Sequence, residues 1–144
     1  MGGPVKGREI VLEFWRRMAS NDFALTSAVL ADDFVLEWPQ SKERIRGAGN
    51  FARMNTEYPA NGPWTFEINR LVSEDSRAEA SQAQVSHAEV THVVTDVSIT
   101  DGVRVARAIS FFTLTDRRIS RLVEYWPEPF EAPANRSHLV EPME

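Results

Sequence analysis

The chain contains no cysteine, only two tyrosines and only three histidines. Without cysteine there is no disulfide frame, no thiolate nucleophile and no zinc site of the cysteine type. It also lacks a long apolar run. A bilayer span needs about 18–20 successive apolar residues, and charge interrupts every stretch here before that, so no membrane partner is expected. Basic residues are in the minority, 16 Lys and Arg against 21 Asp and Glu, which leaves a net charge of −5. A nucleic-acid surface wants the opposite sign, so no nucleic acid is expected either. The opening MGGPVKGREIVLEFW carries no secretory core, because Glu9 and Glu13 break its apolar positions. It also misses a myristoylation pattern, since Lys6 stands where Ser or Thr is needed. The expectation is a cytoplasmic protein.

What remains is an ordinary soluble composition. The 144 residues are 42% hydrophobic and 26% charged, enough for one core. We expect a single domain over residues 1–144, with 131–144 as a C-terminal tail. Neither an internal repeat nor a low-complexity segment is present.

The apolar period changes once along the chain. In residues 7–20, Ile10, Val11, Phe14, Trp15 and Met18 recur at helical spacing. Asp22 is placed to cap a second short helix, FALTSAVLA. DDFVLEWP then alternates as a strand that stops at Pro39, SKERIRGAGN reads as a polar loop, and AGNFARMNTEY as a third helix ended by PANGP. From Trp64 the period is two. Strands are expected over WTFEINRLVSED, over 77–100 (whole or in two pieces joined at a bulge), over VRVARAISFFTLTD and over RISRLVEYW. Asp101-Gly102 is a hairpin signal between the middle two. Helices first and antiparallel strands afterwards indicate the α+β class. Three N-terminal helices on a strongly bent, mainly antiparallel sheet would enclose a pocket between the concave face and the helices. In VARAISFFTL, Ile109 and Phe111 face one way and Ala108, Phe112 and Leu114 the other. Both faces therefore need covering, and a homodimer through the sheet is the expectation.

The order SNDFALTSAVLADDFVLEWP, RIRGAGNFARMN and ISFFTLTDRRISRLVEYWPEPFEAP resembles the NTF2-like superfamily, and within it the SnoaL-like, polyketide cyclase-like branch. That resemblance implies an α+β cone with a deep pocket, dimerised through its sheet. It does not imply one chemistry, because the superfamily includes cyclases, isomerases, epoxide hydrolases, dehydratases, transport factors and non-catalytic pocket proteins.

The chemistry must come from the residues. Glu124 stands in the apolar end of the last strand, in VEYWPEPF. Leu122, Glu124 and Trp126 share a face, as do His87, Glu89 and Thr91 on the long strand. If both faces look into the pocket, His87, Glu89 and Glu124 converge. Two carboxylates in a low-dielectric space push one pKa up, giving an acid and a base. HAE at 87–89 and EYW at 124–126 resemble the site of limonene-epoxide hydrolases, but His87 replaces an arginine and both acids are one methylene longer. Ketosteroid isomerases carry their base before the proline that ends the first strand, where this chain has Trp38. Trp38, Trp64 and Trp126, with Phe51 and Met54, are the candidate substrate lining, and core packing is their alternative. Glu124 could instead pair with Arg121 or Arg136 at the sheet edge, and His87 could lie on a dimer face. His92 reads as structural or interfacial, and His138 as solvated. The two-carboxylate, one-histidine set matches some metal sites by type, but no regular ligand motif supports one, so neither a metal nor a cofactor is expected. The GAG at 47–49 is no dinucleotide fingerprint, because it follows a polar loop and lacks a third glycine. Two readings stay open: a cofactor-free enzyme acting on a small hydrophobic or polycyclic molecule by Glu/His acid–base chemistry (cyclase, isomerase, dehydratase or epoxide-opening), or a protein that binds such a molecule or a protein partner without turnover.

Overall fold

The computed structural model describes residues 6–75 and 89–143. Helix α1 (Gly7–Ala19) buries Ile10, Val11, Phe14, Trp15 and Met18, the stripe its period predicts. Its own N-terminus has no local side-chain cap. Asp75 caps it from across the chain, accepting from the Gly7 amide at 2.8 Å and the Arg8 amide at 3.1 Å. Burial works against that charge. The hydrogen bonds from Ser73 and the two amides win, and hold Asp75 below the ordinary carboxylate pKa.

The second helical segment, Phe23–Val29, is a 3-10 helix and not an α-helix, and the Asp22 side chain makes no cap bond. Thr26 turns its hydroxyl back on the Phe23 carbonyl, which competes with regular helix bonding. Asn21, in the left-handed region at φ 64°, holds Trp64 instead. Its amide group accepts from the Trp64 amide and donates to the Trp64 carbonyl, both at 2.8 Å.

Strand β1 (Leu30–Trp38) runs into a hairpin with β2 (Glu43–Arg46), where the sequence reading expects a loop. β2 has one inward apolar residue, Ile45, so it carries no alternation to read. Helix α2 (Ala48–Glu57), β3 (Thr65–Ser73), β4 (Val90–Thr100), β5 (Val105–Thr115) and β6 (Arg118–Tyr125) follow. The 77–88 part of the long expected strand lies outside the described residues. The strands form one sheet in the order β2-β1-β6-β5-β4-β3. All neighbours are antiparallel except β1 and β6. Register shifts in the β1–β6, β3–β4 and β5–β6 pairs bend it.

The concave face meets the helices in an aromatic core. Phe14 lies 5.3 Å from Phe112 and 5.8 Å from Phe51, and Phe51 lies 5.5 Å from Phe34. Trp15 reaches through this core to donate from Nε1 to the buried Thr95 hydroxyl at 3.2 Å. The tail beyond Tyr125 is irregular and exposed apart from half-buried Trp126 and a short 3-10 turn at Ala134–Arg136.

Asp101 fastens the β4–β5 turn. Its carboxylate accepts from the amides of Asn61, Val103 and Arg104 at 2.7, 3.0 and 2.7 Å. Gly102, at φ 95°, supplies the left-handed step. The amides of Asn61 and Arg104 chiefly hold the Asp101 carboxyl well below its ordinary value. It therefore contributes stability at every pH above the unfolded value of 3.8, and that contribution is lost as pH falls below it. Asp101→Ala is expected to lower stability at neutral pH and to speed amide exchange at Asn61, Val103 and Arg104. Unchanged exchange at those three amides in a hydrogen-exchange measurement would show that the carboxylate is not what holds the turn.

Candidate functional site

Three of the sheet's carboxylates are buried or half-buried, and two of these are neutralised on its outer face. Glu37 (β1) pairs with Arg44 at 2.6 Å and with Arg121. Asp96 (β4) takes a two-pronged grip from Arg107, at 2.7 and 2.6 Å, and a further contact from Arg70 at 3.3 Å. In both, the arginine hydrogen bonds come first among the causes that pull the carboxyl below its ordinary pKa.

Glu124 (β6) is the third, and it is built differently. Alternation turns it inward with Leu122, and it is only 7% exposed. Its register partner on β5 is Ser110, which is fully buried. The Ser110 hydroxyl donates to Glu124 Oε2 at 3.0 Å. On the other side, β1 brings Trp38, whose Nε1 donates to Oε1 at 3.1 Å. Among the described residues no Lys, Arg or His pairs with it. Arg121, the partner considered from the sequence, is committed to Glu37 on the opposite face, and Arg136 lies in the exposed tail. Burial dominates and raises the Glu124 carboxyl above its ordinary 4.5, while the side chains of Trp38, Ser110 and Trp126 pull the other way. Half-buried Trp38 and Trp126 flank the carboxylate. The Trp126 amide donates to Gln40 Oε1 at 2.7 Å, tying the end of β6 to the β1–β2 turn.

The structure thus brings Glu124, Trp38 and Trp126 together. It does not bring Glu89 to them. Glu89 is exposed, and its backbone pairs with Asp116 at the β5–β6 turn. Six residue positions separate Asp116 from Ser110 along β5, about 20 Å at a strand's rise. His87 lies outside the described residues. Phe51 is 3% exposed and belongs to the aromatic core. Trp64 packs edge-on to Tyr58 at 6.1 Å. Met54 lines a surface groove of about 550 Å³ between β2 and α2. A second groove, of about 400 Å³, lies on the outer face along Phe111, Val123 and Tyr125. Glu124 lines neither.

Sequence reasoning missed Ser110. Its signal was present: Ser110 is the polar interruption in the inward set Ala108, Phe112 and Leu114, as Glu124 is on β6. Two such interruptions face each other only once the strand register is known.

A helix-backed, bent sheet with a carboxylate on its concave face defines an α+β protein of NTF2-like architecture. The model of the SnoaL-like domain family matches residues 11–122, and the chain belongs to that family. Among solved structures it is similar to a candidate ketosteroid isomerase from Kribbella flavida DSM 17836, at 28% identity and TM-score 0.77, over 95% of this chain and 89% of that one. An NTF-2 like protein of unknown function from Burkholderia xenovorans LB400 is 26% identical over 95% and 94% of the two chains, with TM-score 0.66. An LEH-like epoxide hydrolase of M. tuberculosis shares the fold at 19% identity and TM-score 0.56, over 82% and 80% of the chains. No curated protein matches the chain. No helix among the described residues is long and apolar enough to cross a membrane.

Proposed function

We propose that the protein is a cofactor-free acid–base catalyst acting on a small hydrophobic molecule, with Glu124 as the group that moves the proton. One observation carries this reading. Glu124 is a buried carboxylate held by neutral donors, in a chain that gives two other sheet carboxylates two arginines each. Burying a carboxylate without a cation costs stability, and perturbed groups of this kind concentrate at functional sites. A raised pKa makes the ionised carboxylate a stronger base and leaves the neutral acid available nearer neutral pH. Trp38 and Ser110 each hold one oxygen, which fixes the carboxylate in one orientation.

The geometry favours single-carboxylate chemistry of the isomerase or cyclase type over the two-acid, epoxide-opening type, because Glu89 is remote from Glu124. Similarity to the candidate ketosteroid isomerase points the same way. Here the position before Pro39 is Trp38, and the carboxylate that Trp38 contacts comes from the neighbouring strand. The test is proton exchange into cyclic ketones in D2O, followed by NMR. The natural chain is expected to catalyse exchange α to the carbonyl and Glu124→Gln to lose it. Removing a positioned acid–base group typically costs about 10²–10⁴-fold. Equal exchange by the two proteins would remove Glu124 from the mechanism.

A second reading has its own support, since Glu124 lines neither of the two grooves. A non-catalytic binder would take up the ketone without exchange, which the same experiment detects.

We further propose that the functional form is a homodimer through the outer face of the sheet. Phe111 and Tyr125 stand there edge to face at 6.0 Å, 44% and 37% exposed, beside partly exposed Val94 and Val123. Clustered apolar surface of this kind marks an interface. Phe111→Arg is expected to sediment as a monomer with an unchanged circular dichroism spectrum. A variant with the natural chain's sedimentation would place the contact elsewhere.

A further inference from the structure

We propose that the groove between the free edge of β2 and helix α2 binds a small molecule that joins a carboxylate or phosphate to a flat apolar body. The groove is a shallow, open one of about 550 Å³. β2 is the outermost strand of the sheet among the described residues, and its Arg44, Ile45 and Arg46 line the groove.

Its charge runs against that of the whole chain. Arg44, Arg46 and Arg53 line it, against the single acid Glu57, in a protein of net charge −5. Two of the three guanidiniums are already committed: Arg44 reaches Glu37 at 2.6 Å and Arg53 reaches Glu57 at 2.6 Å. Among the described residues Arg46 has no carboxylate partner. A guanidinium presents a planar fork that fits a carboxylate or phosphate with two parallel hydrogen bonds. Arg46 is therefore the anchor, and the flanking arginines supply field.

The apolar part of the groove is fixed in place. Ile45 is half-buried and packs on the core. Tyr58 is 53% exposed, so its ring is available to a ligand. Its position is not loose: it rests edge-on against Trp64, whose backbone Asn21 holds on both sides. The Asn50 side chain donates to the Arg46 carbonyl at 3.3 Å and ties α2 to β2. An anion anchor beside a pre-positioned ring selects a ligand with both features. The site is separate from Glu124, because β1 stands between β2 and β6.

The test titrates the nitrogen-15-labelled full chain with naphthoate, its uncharged amide and inorganic phosphate, and repeats the series with Arg46→Gln. Naphthoate is expected to give saturable shifts at the Arg46 Nε–H, Ile45 and Tyr58, and the amide none. Loss of a charge-assisted pair weakens binding about tenfold or more, so Arg46→Gln should show that drop for naphthoate. Phosphate alone should shift Arg46 but bind more weakly, lacking the flat body. Equal binding of the amide would overturn the anion anchor, and phosphate binding as tight as naphthoate would overturn the joined ligand. Naphthoate shifts that map elsewhere, fail to saturate or persist unchanged in Arg46→Gln would overturn the site. Arg46 is exposed, and the folded state of the variant is read from the same spectra.

Discussion

Glu124→Gln is expected to be more stable than the natural chain at neutral pH, with an advantage that grows as pH rises. The sign follows from the raised carboxyl. In the unfolded chain Glu124 titrates near 4.5, and in the folded chain above it. Its favourable contribution is fully present below the unfolded value and is lost as pH rises through the folded one. Above both, the natural chain carries a penalty of about 1.4 kcal/mol for each unit by which the pKa is raised. Glutamine has no such titration. Its carbonyl can still accept from Trp38 Nε1, and its amide can donate to Ser110 if that hydroxyl turns its proton away. Denaturant unfolding of both proteins across pH gives the difference directly. Asp75, Asp96 and Asp101, all depressed, destabilise both proteins alike as pH falls below 3.8 and cancel in that difference. Parallel stability curves would mean that Glu124 titrates like an exposed carboxylate, and the catalytic reading would lose its foundation. Glu124→Ala should behave in the opposite way, because it leaves the buried Ser110 hydroxyl and the half-buried Trp38 Nε1 without their acceptor, and a buried donor without a partner costs about 1–3 kcal/mol.

Phe112→Ala is expected to lower the unfolding free energy by about 3–5 kcal/mol, the usual cost of removing a buried ring and leaving its cavity. Phe112 is 1% exposed. It lies opposite Val93 on one side and Leu122 on the other. Phe14 and Trp15 meet it edge-on from α1, at 5.3 and 6.2 Å. Three neighbouring elements, β4, β6 and α1, therefore lose contacts at once. Against a total of about 5–15 kcal/mol for a domain, the loss is severe. Val105→Ala, on the same strand but 81% exposed, should stay within about 0.5 kcal/mol. The comparison is made by urea unfolding with both m-values checked. Similar losses for the two would show that the ring cluster is not the core of the fold.

The elements that the sequence made legible are those whose burial is periodic. The α1 stripe, the inward set of β5 and the Asp101-Gly102 turn are each written in a few neighbouring residues. The 3-10 segment and β2 were not legible, for a common reason. Phe23–Val29 is too short for its period to separate one helix type from another, and Glu43–Arg46 takes its strand character from pairing with β1.

The candidate site divides along the same line. Alternation put Glu124 on one strand face with Leu122 and Trp126, because side-chain direction in a strand is a local property, and it left open whether that face looks inward. The same alternation joined Glu89 to it and was silent on distance. How far along the sheet two residues lie is decided by strand register, and the β4–β5–β6 pairing puts Glu89 at one end and Glu124 toward the other. Register also set Ser110 opposite Glu124, carried Trp38 to it from the parallel neighbour β1, and drew Arg121 away to Glu37. The sequence by itself determined that a carboxylate would share a strand face with Leu122 in an α+β fold. Only the tertiary structure decided that this face is the interior and that, among the described residues, no cation pairs with the carboxylate, because the identity of a buried group's partners depends on pairings between strands that lie far apart in the chain.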